Sequence, residues 1–150
     1  MTGDPAPHFT LRARVYWEDT DGGGVVYYAN YLKFLERART EWLRSRGFAQ
    51  TDLAKDPGII FVVANVSIDY LRPARLDDSL DITCDVEADG TVCMRFAQRI
   101  RRGDEVLANA SVRVACLDAQ SFRPKRIPAG IAQVIREAAL PASSEGAPAT

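Results

Sequence analysis

The chain holds a single histidine, His8, in 150 residues. Catalysts that pair a serine or cysteine nucleophile with an imidazole base need a histidine inside the fold. His8 instead lies in a lead-in, MTGDPAPHFT, with an early Asp and two prolines. Cysteine is also sparse: Cys84, Cys93 and Cys116 are odd in number, widely spaced and form no CxxC pair. That argues against a disulfide framework or a thiolate metal site and reads as reduced thiols. No apolar run approaches the roughly 20 residues of a bilayer-crossing helix, and the N-terminus lacks the apolar core of a secretory leader. A cytoplasmic protein with no membrane insertion is therefore expected. Neither sign of charge dominates: 19 Lys+Arg against 20 Asp+Glu leave a net charge of -1, with no global attraction to nucleic acid.

Hydrophobic residues make up 47% of the chain, enough for one domain with its own core. Phe9, Leu11, Ala13, Val15 and Trp17 alternate with Arg12 and Arg14, the pattern of a half-buried strand. The run EDTDGGG ends it. A helix is predicted to start between Tyr27 and Tyr31 and to bury Tyr31, Phe34, Leu35, Ala38 and Trp42; Gly47, behind Arg44 and Arg46, marks its end. Four further alternating runs follow, Val62 to Tyr70, Leu80 to Glu87, Val92 to Arg101 and Val106 to Cys116. Turns at Ala88-Asp89-Gly90 and Arg102-Gly103-Asp104 make them successive hairpins. Cys84 and Cys116 fall on apolar faces and Cys93 on a polar one. A short helix is predicted over Ala129 to Ala139. The resulting α+β domain, over 9–140, is a five-stranded antiparallel sheet around one long helix. Residues 1–8 read as a flexible lead-in and 141–150 as a disordered tail. Sheet edges and a second half-apolar face predict a dimer.

Chemistry concentrates in YWEDTDGGGVVYYANYLKFLERARTEW, from Tyr16 to Trp42. Asp19 and Asp21 leave a strand, glycines follow, and a helix begins. Amides at a helix start are unpaired and carry partial positive charge, and glycines let a ligand approach the backbone. A carboxylate then stands beside a preformed oxyanion site. That suits acyl transfer to water: the amides polarise a carbonyl while the carboxylate attacks its carbon or activates a water. A thioester fits, because its thiolate leaves without strong acid assistance. Asp19 reads as a turn acceptor that shapes the loop. The same run could suggest a calcium loop, but Asn30 stands where a bidentate Glu would close it and Gly23 occupies its fifth position. No metal and no cofactor are expected. Asn30 either caps the helix or orients the carboxylate.

The segment WEDTDGGGVVYYANYLKFLERARTEW resembles the opening motif of the 4-hydroxybenzoyl-CoA thioesterase superfamily, whose members have the hotdog fold. VSIDYLRPARLDD and LDAQSFRPKRIP are similar to later pieces of its Tol-Pal-associated acyl-CoA thioesterase branch, so the resemblance runs from about Phe9 to Ile135. It implies an acyl-CoA thioesterase with Asp21 as catalytic carboxylate and the Tyr28 backbone amide as donor to the thioester oxygen. Gly24 falls where the chain passes close to the acyl group. Val25 and Asn30 join these as substrate-binding candidates, and Asn65 and Ser67 form a polar strand face that could line a pocket across an interface. Many members of that branch carry His where this chain has Tyr28, a residue found in 4-hydroxybenzoyl-specific relatives. The backbone donor survives that change; a role for a His side chain does not. The resemblance further implies a homodimer with shared sites, pairing into a tetramer, with an acyl carrier protein as a further candidate partner. Arg101 and Arg102, or Arg123, Lys125 and Arg126, are candidates for the CoA phosphates by charge.

Two other functions compete. A hotdog dehydratase or hydratase would need a positioned histidine that the fold lacks. A non-catalytic module binding acyl-CoA or acyl carrier would not need Asp21 beside a helix start.

Overall fold

The computed structural model describes residues 9–139; the segments 1–8 and 141–150, expected to be flexible and disordered, lie outside the described residues. The chain runs β1 (Thr10–Arg14), α1 (Asn30–Ser45), α2 (Gln50–Lys55), β2 (Ile59–Tyr70), β3 (Ser79–Thr83), β4 (Asp85–Asp89), β5 (Cys93–Arg102), β6 (Glu105–Asp118) and α3 (Ala129–Ala139). One antiparallel sheet has the order β1-β3-β5-β6-β2, with β4 also on β5. β1 and β2 are therefore its edges.

The six strands correct the expected five. The run from Leu80 to Glu87 breaks at Cys84, where β3 ends and β4 begins, yet both stay in one register on β5: Ile82 faces Ile100 and Asp85 faces Ala97. At the break the Thr83 hydroxyl accepts the Arg99 N–H at 2.9 Å, and the Cys84 N–H turns to the Phe9 carbonyl at 2.9 Å. A side chain thus replaces a ladder partner and bends the strand. The first strand is also shorter than its alternation predicts. It stops at Arg14, and Trp17–Asp19 forms a 3-10 turn that leaves Trp17 76% exposed. α2 was not expected from the sequence; it buries only Leu53. Cys93, expected on a polar face, is buried. Its ladder partner Asp89 draws Arg95 (3.3 Å) and Arg113 (2.8 Å) across that side.

The long helix meets its prediction. Tyr31, Phe34, Leu35 and Ala38 pack with Leu80, Ile82, Ile100 and Leu107 in one cluster, while Trp42 and Leu43 join Phe96, Val112, Cys116 and the α3 residues Ile131 and Ile135 in another. α1 is the spine of both clusters. Burying each Leu, Ile or Phe contributes about 1.5–3 kcal/mol, and this pins the helix start where the aspartate loop arrives.

Candidate active site

The loop between β1 and α1 is tied down at Asp19. That carboxylate is 8% exposed, and its Oδ2 accepts the Tyr16 N–H at 2.8 Å. The Asp19 carbonyl accepts two more donors, the Tyr27 N–H at 3.1 Å and Asn30 Nδ2 at 2.9 Å. Asn30, at the start of α1, therefore secures the Asp19 backbone and does not touch the Asp21 carboxylate. Asp19 has the loop-shaping role expected of it.

Asp21 stands free of the core and exposed. Its N–H donates to the Val25 carbonyl at 2.9 Å, and its Oδ1 accepts the Gly23 N–H at 2.7 Å. This tight reversal needs glycine at two points: Gly22 and Gly24 sit at φ +92° and +87°, in the left-handed region that side chains disfavour. At Gly23 a Cβ would meet Asp21 Oδ1 at 3.2 Å, so a side chain there would crowd the carboxylate. Val25 bridges to Arg75, and the Val26 N–H donates to the Ala74 carbonyl, closing the loop onto the body of the fold.

Between this loop and α1 lie Tyr27, Tyr28 and Ala29. The Tyr27 N–H goes to Asp19 and the Asn30 N–H to the Tyr27 carbonyl at 2.8 Å. The Tyr28 and Ala29 amides between them have no backbone acceptor among the described residues. They are the orphan donors at the positive end of a 16-residue helix. Sequence reasoning missed the residue that braces this segment: Tyr70, the last residue of β2, donates its hydroxyl to the Tyr28 carbonyl at 2.9 Å and sets its ring edge-on to Tyr28 and Tyr31. The Tyr31 hydroxyl in turn accepts the Ala74 N–H at 2.9 Å. Burial and the neighbouring phenols raise the Tyr70 pKa, and a hydrogen bond with Tyr28 raises that of Tyr27. Both stay neutral phenols near pH 7. Asp21, Gly24 and Tyr28 all lie exposed on the one loop that joins β1 to α1.

A profile of the Thioesterase superfamily matches residues 23–109, more than half of the chain. The chain belongs to the Thioesterase superfamily. It is 44% identical over 120 residues to Acyl-CoA thioesterase YbgC of Haemophilus influenzae, covering 80% of this chain and 88% of that one. It is 43% identical over 124 residues to Acyl-CoA thioester hydrolase YbgC of Escherichia coli, covering 82% and 92%. The crystal structure of a probable thioesterase from Bartonella henselae superposes with a TM-score of 0.77 at 39% identity, over 82% of this chain and all of that one. The antiparallel sheet around α1 is the hotdog fold of this superfamily.

The other site candidates of this thioesterase are spread over the fold. Asn65 and Ser67 are exposed on the edge strand β2. Arg102 is taken up by Asp78 and Glu105, each at 2.6 Å, and Arg101 sits beside it in β5 opposite Asp81. Arg123, Lys125 and Arg126 follow a tight loop in which the Asp118 carboxylate accepts the Gln120 and Ser121 N–H groups, at 3.1 and 2.8 Å. Lys125 Nζ donates to the Pro57 carbonyl at 3.0 Å, while Arg123 and Arg126 are exposed. All three cysteines are buried. Burial pushes the Cys116 thiol up to about 11 and Cys84 higher still, so neither is a thiolate nucleophile near neutrality.

Proposed function

We propose that this chain is a cytoplasmic acyl-CoA thioesterase of the Tol-Pal-associated branch, working through the Asp21 carboxylate and the Tyr28 amide. One observation supports the reading: an exposed carboxylate, bonded through one oxygen to the Gly23 N–H, sits on the same glycine-rich loop as helix-start amides that lack backbone acceptors. The thioester oxygen accepts from the Tyr28 N–H, which stabilises the charge that develops on it. Asp21 then acts in one of two ways. It attacks the carbonyl carbon, expelling CoA thiolate and leaving a mixed anhydride that water cleaves. Alternatively, it takes a proton from the water that attacks. Either route returns a free acid, CoA and an unchanged Asp21. The close names of the relatives support the substrate: acyl-CoA is what the YbgC proteins of Haemophilus influenzae and Escherichia coli are named for. An acyl carrier protein presents the same bond and is a second candidate carrier.

In a single chain this loop is an open rim, and a second copy closes it. β2 is an edge strand whose Val63 and Val66 are 50% and 41% exposed, which invites an identical strand to pair with it. Antiparallel pairing centred on the exposed run 62–67 sets Tyr70 of one copy across from about position 59 of the other, where the loop of Arg123, Lys125 and Arg126 begins. Those basic residues then face the partner's rim and hold the CoA phosphates, a task for which Arg102 is already engaged elsewhere. Two such dimers form the tetramer.

One bond favours a second reading, a non-catalytic acyl-CoA binding module: the Gly23 N–H to Asp21 Oδ1 contact is what a purely structural aspartate would make. Asp21→Asn separates the two, because asparagine keeps that acceptor oxygen and loses only the charge. Assayed on a panel of acyl-CoAs, the variant is expected to melt as the wild type does and to lose about 10²–10⁴-fold in kcat. Undiminished turnover would establish that position 21 only shapes the loop.

A further inference from the structure

Two adjoining cavities run along the α1 flank that faces β2. One, of about 270 Å³, lies between Leu32 and Val66 and is walled by Glu36, Arg39 and Val63. The second, of about 130 Å³, shares those three walls and continues along the helix to Thr40, Trp42 and, on β2, Phe61.

Two donor-bearing side chains line the second cavity, Arg39 and Trp42. Trp42 is 1% exposed, and its indole N–H has no partner among the described residues. Such orphaned buried donors are rare in native proteins and ask for an explanation. Arg39 makes no ion pair among the described residues. Its Nη1 donates to Gln98 Oε1 at 3.1 Å, its guanidinium lies 5.9 Å from the Phe96 ring centroid, and burial lowers its pKa. A guanidinium has five N–H donors, so most of its capacity is unspent. Glu36 opposes an incoming anion only weakly: it is exposed, where water screens it, and its Oε2 is engaged by Thr40 Oγ1 at 2.5 Å.

The dimer proposed above gives this cavity a visitor. Pairing that sets Tyr70 of one chain near position 59 of the other brings the partner's Tyr28, whose carbonyl accepts from the Tyr70 hydroxyl of the same chain, toward the Phe61 end of the cavity. We propose that the cavity receives the far end of the acyl group bound at the partner subunit's Tyr28, and that Trp42 and Arg39 select acyl groups ending in a carboxylate oxygen. The inference rests on the shared-site thioesterase reading and adds its substrate class.

Adipoyl-CoA and hexanoyl-CoA have equal chain lengths and differ in a terminal carboxylate against a methyl. The wild type is expected to prefer adipoyl-CoA by about tenfold in kcat/KM, the scale of one charge-assisted hydrogen bond. Arg39→Met and Trp42→Phe are each expected to bring the ratio near one, and Arg39→Lys to keep part of it. The ratio is internal to each variant, so partial loss of folded enzyme does not distort it. Trp42→Phe keeps an aromatic ring on a smaller side chain and removes the N–H, and it stands in should Arg39→Met misfold. A readout without turnover uses Trp17→Phe, which leaves Trp42 as the only tryptophan: adipate is expected to shift its emission and hexanoate is not. Equal or reversed preference in the wild type, or a ratio unmoved in both variants, overturns the selectivity and leaves the thioesterase standing. Hydrolysis of no acyl-CoA at all would defeat the thioesterase reading and this inference with it.

Discussion

Asp19 and Asp21 are two residues apart and are spent in opposite ways. Asp19 is buried and accepts a backbone N–H that would otherwise go unpaired. Asp21 is exposed and gives up little by losing its one turn contact. Asp19→Ala is therefore expected to cost about 1.5–3 kcal/mol in urea unfolding, the worth of a hydrogen bond to a charged acceptor, and to release the segment that carries the Tyr28 amide. Activity then falls together with stability. Asp21→Asn reverses that profile, with activity lost and stability kept. A stable but inactive Asp19→Ala would show that its carboxylate acts in the chemistry and not through the loop.

At the scale of elements, the β3–β4 bend depends on one hydroxyl. Thr83 is 6% exposed and gives the Arg99 N–H its acceptor. Thr83→Val keeps the shape and removes the oxygen, and is expected to cost about 1–2 kcal/mol in denaturant titration; an unchanged midpoint would mean that the strands re-form a backbone ladder there. This is also where the sequence ceased to be readable. Strict alternation revealed β2, β5 and β6, and the Tyr31–Trp42 stripe revealed α1, because burial on one face writes itself into residue spacing. Alternation passes unbroken through Thr83 and Cys84, since a side-chain acceptor alters hydrogen bonding without altering which face is apolar. α2 has only Leu53 to bury and so leaves no stripe. In the site, Asp21 and the glycine run were legible because they are contiguous. The grip of Tyr70 on Tyr28 joins residues 42 apart, and only the register of the whole sheet brings them together. Trp42 read correctly as core; that its N–H lacks an acceptor is a fact of three dimensions.

The whole molecule has a pH response, and the proposed dimer a symmetry, that local pattern does not contain. Hydrogen bonding to Arg113, and the charges of Arg113 and Arg95, hold the Asp89 carboxyl below its ordinary value in the fold. A depressed folded-state pKa contributes stability above the unfolded carboxylate's value, and that stability is lost as pH falls through the folded one. Thermal melts of Asp89→Asn against wild type are expected to differ near pH 7 and to converge as pH drops below about 4. A gap that persisted in acid would assign the effect to packing.

Symmetry makes the stronger demand. The Asp21 carboxylate, the Tyr28 and Ala29 amides and the glycine turn lie on the loop ahead of α1, and the cavity proposed for an acyl tail lies between α1 and the edge strand β2. A lysine on an edge strand is one of the devices natural proteins use to block strand addition. Val62→Lys places one where the side chain is 36% exposed, belongs to no core cluster and lines neither cavity on the α1 flank, so the protomer keeps its fold by circular dichroism. Light scattering is expected to find wild-type dimers or tetramers and Val62→Lys monomers, and the monomers are expected to lose at least about tenfold in kcat/KM because each rim has lost its second wall. A monomeric Val62→Lys with full activity would mean that one chain builds the entire site, and the trans arrangement of basic loop and acyl cavity would have to be abandoned.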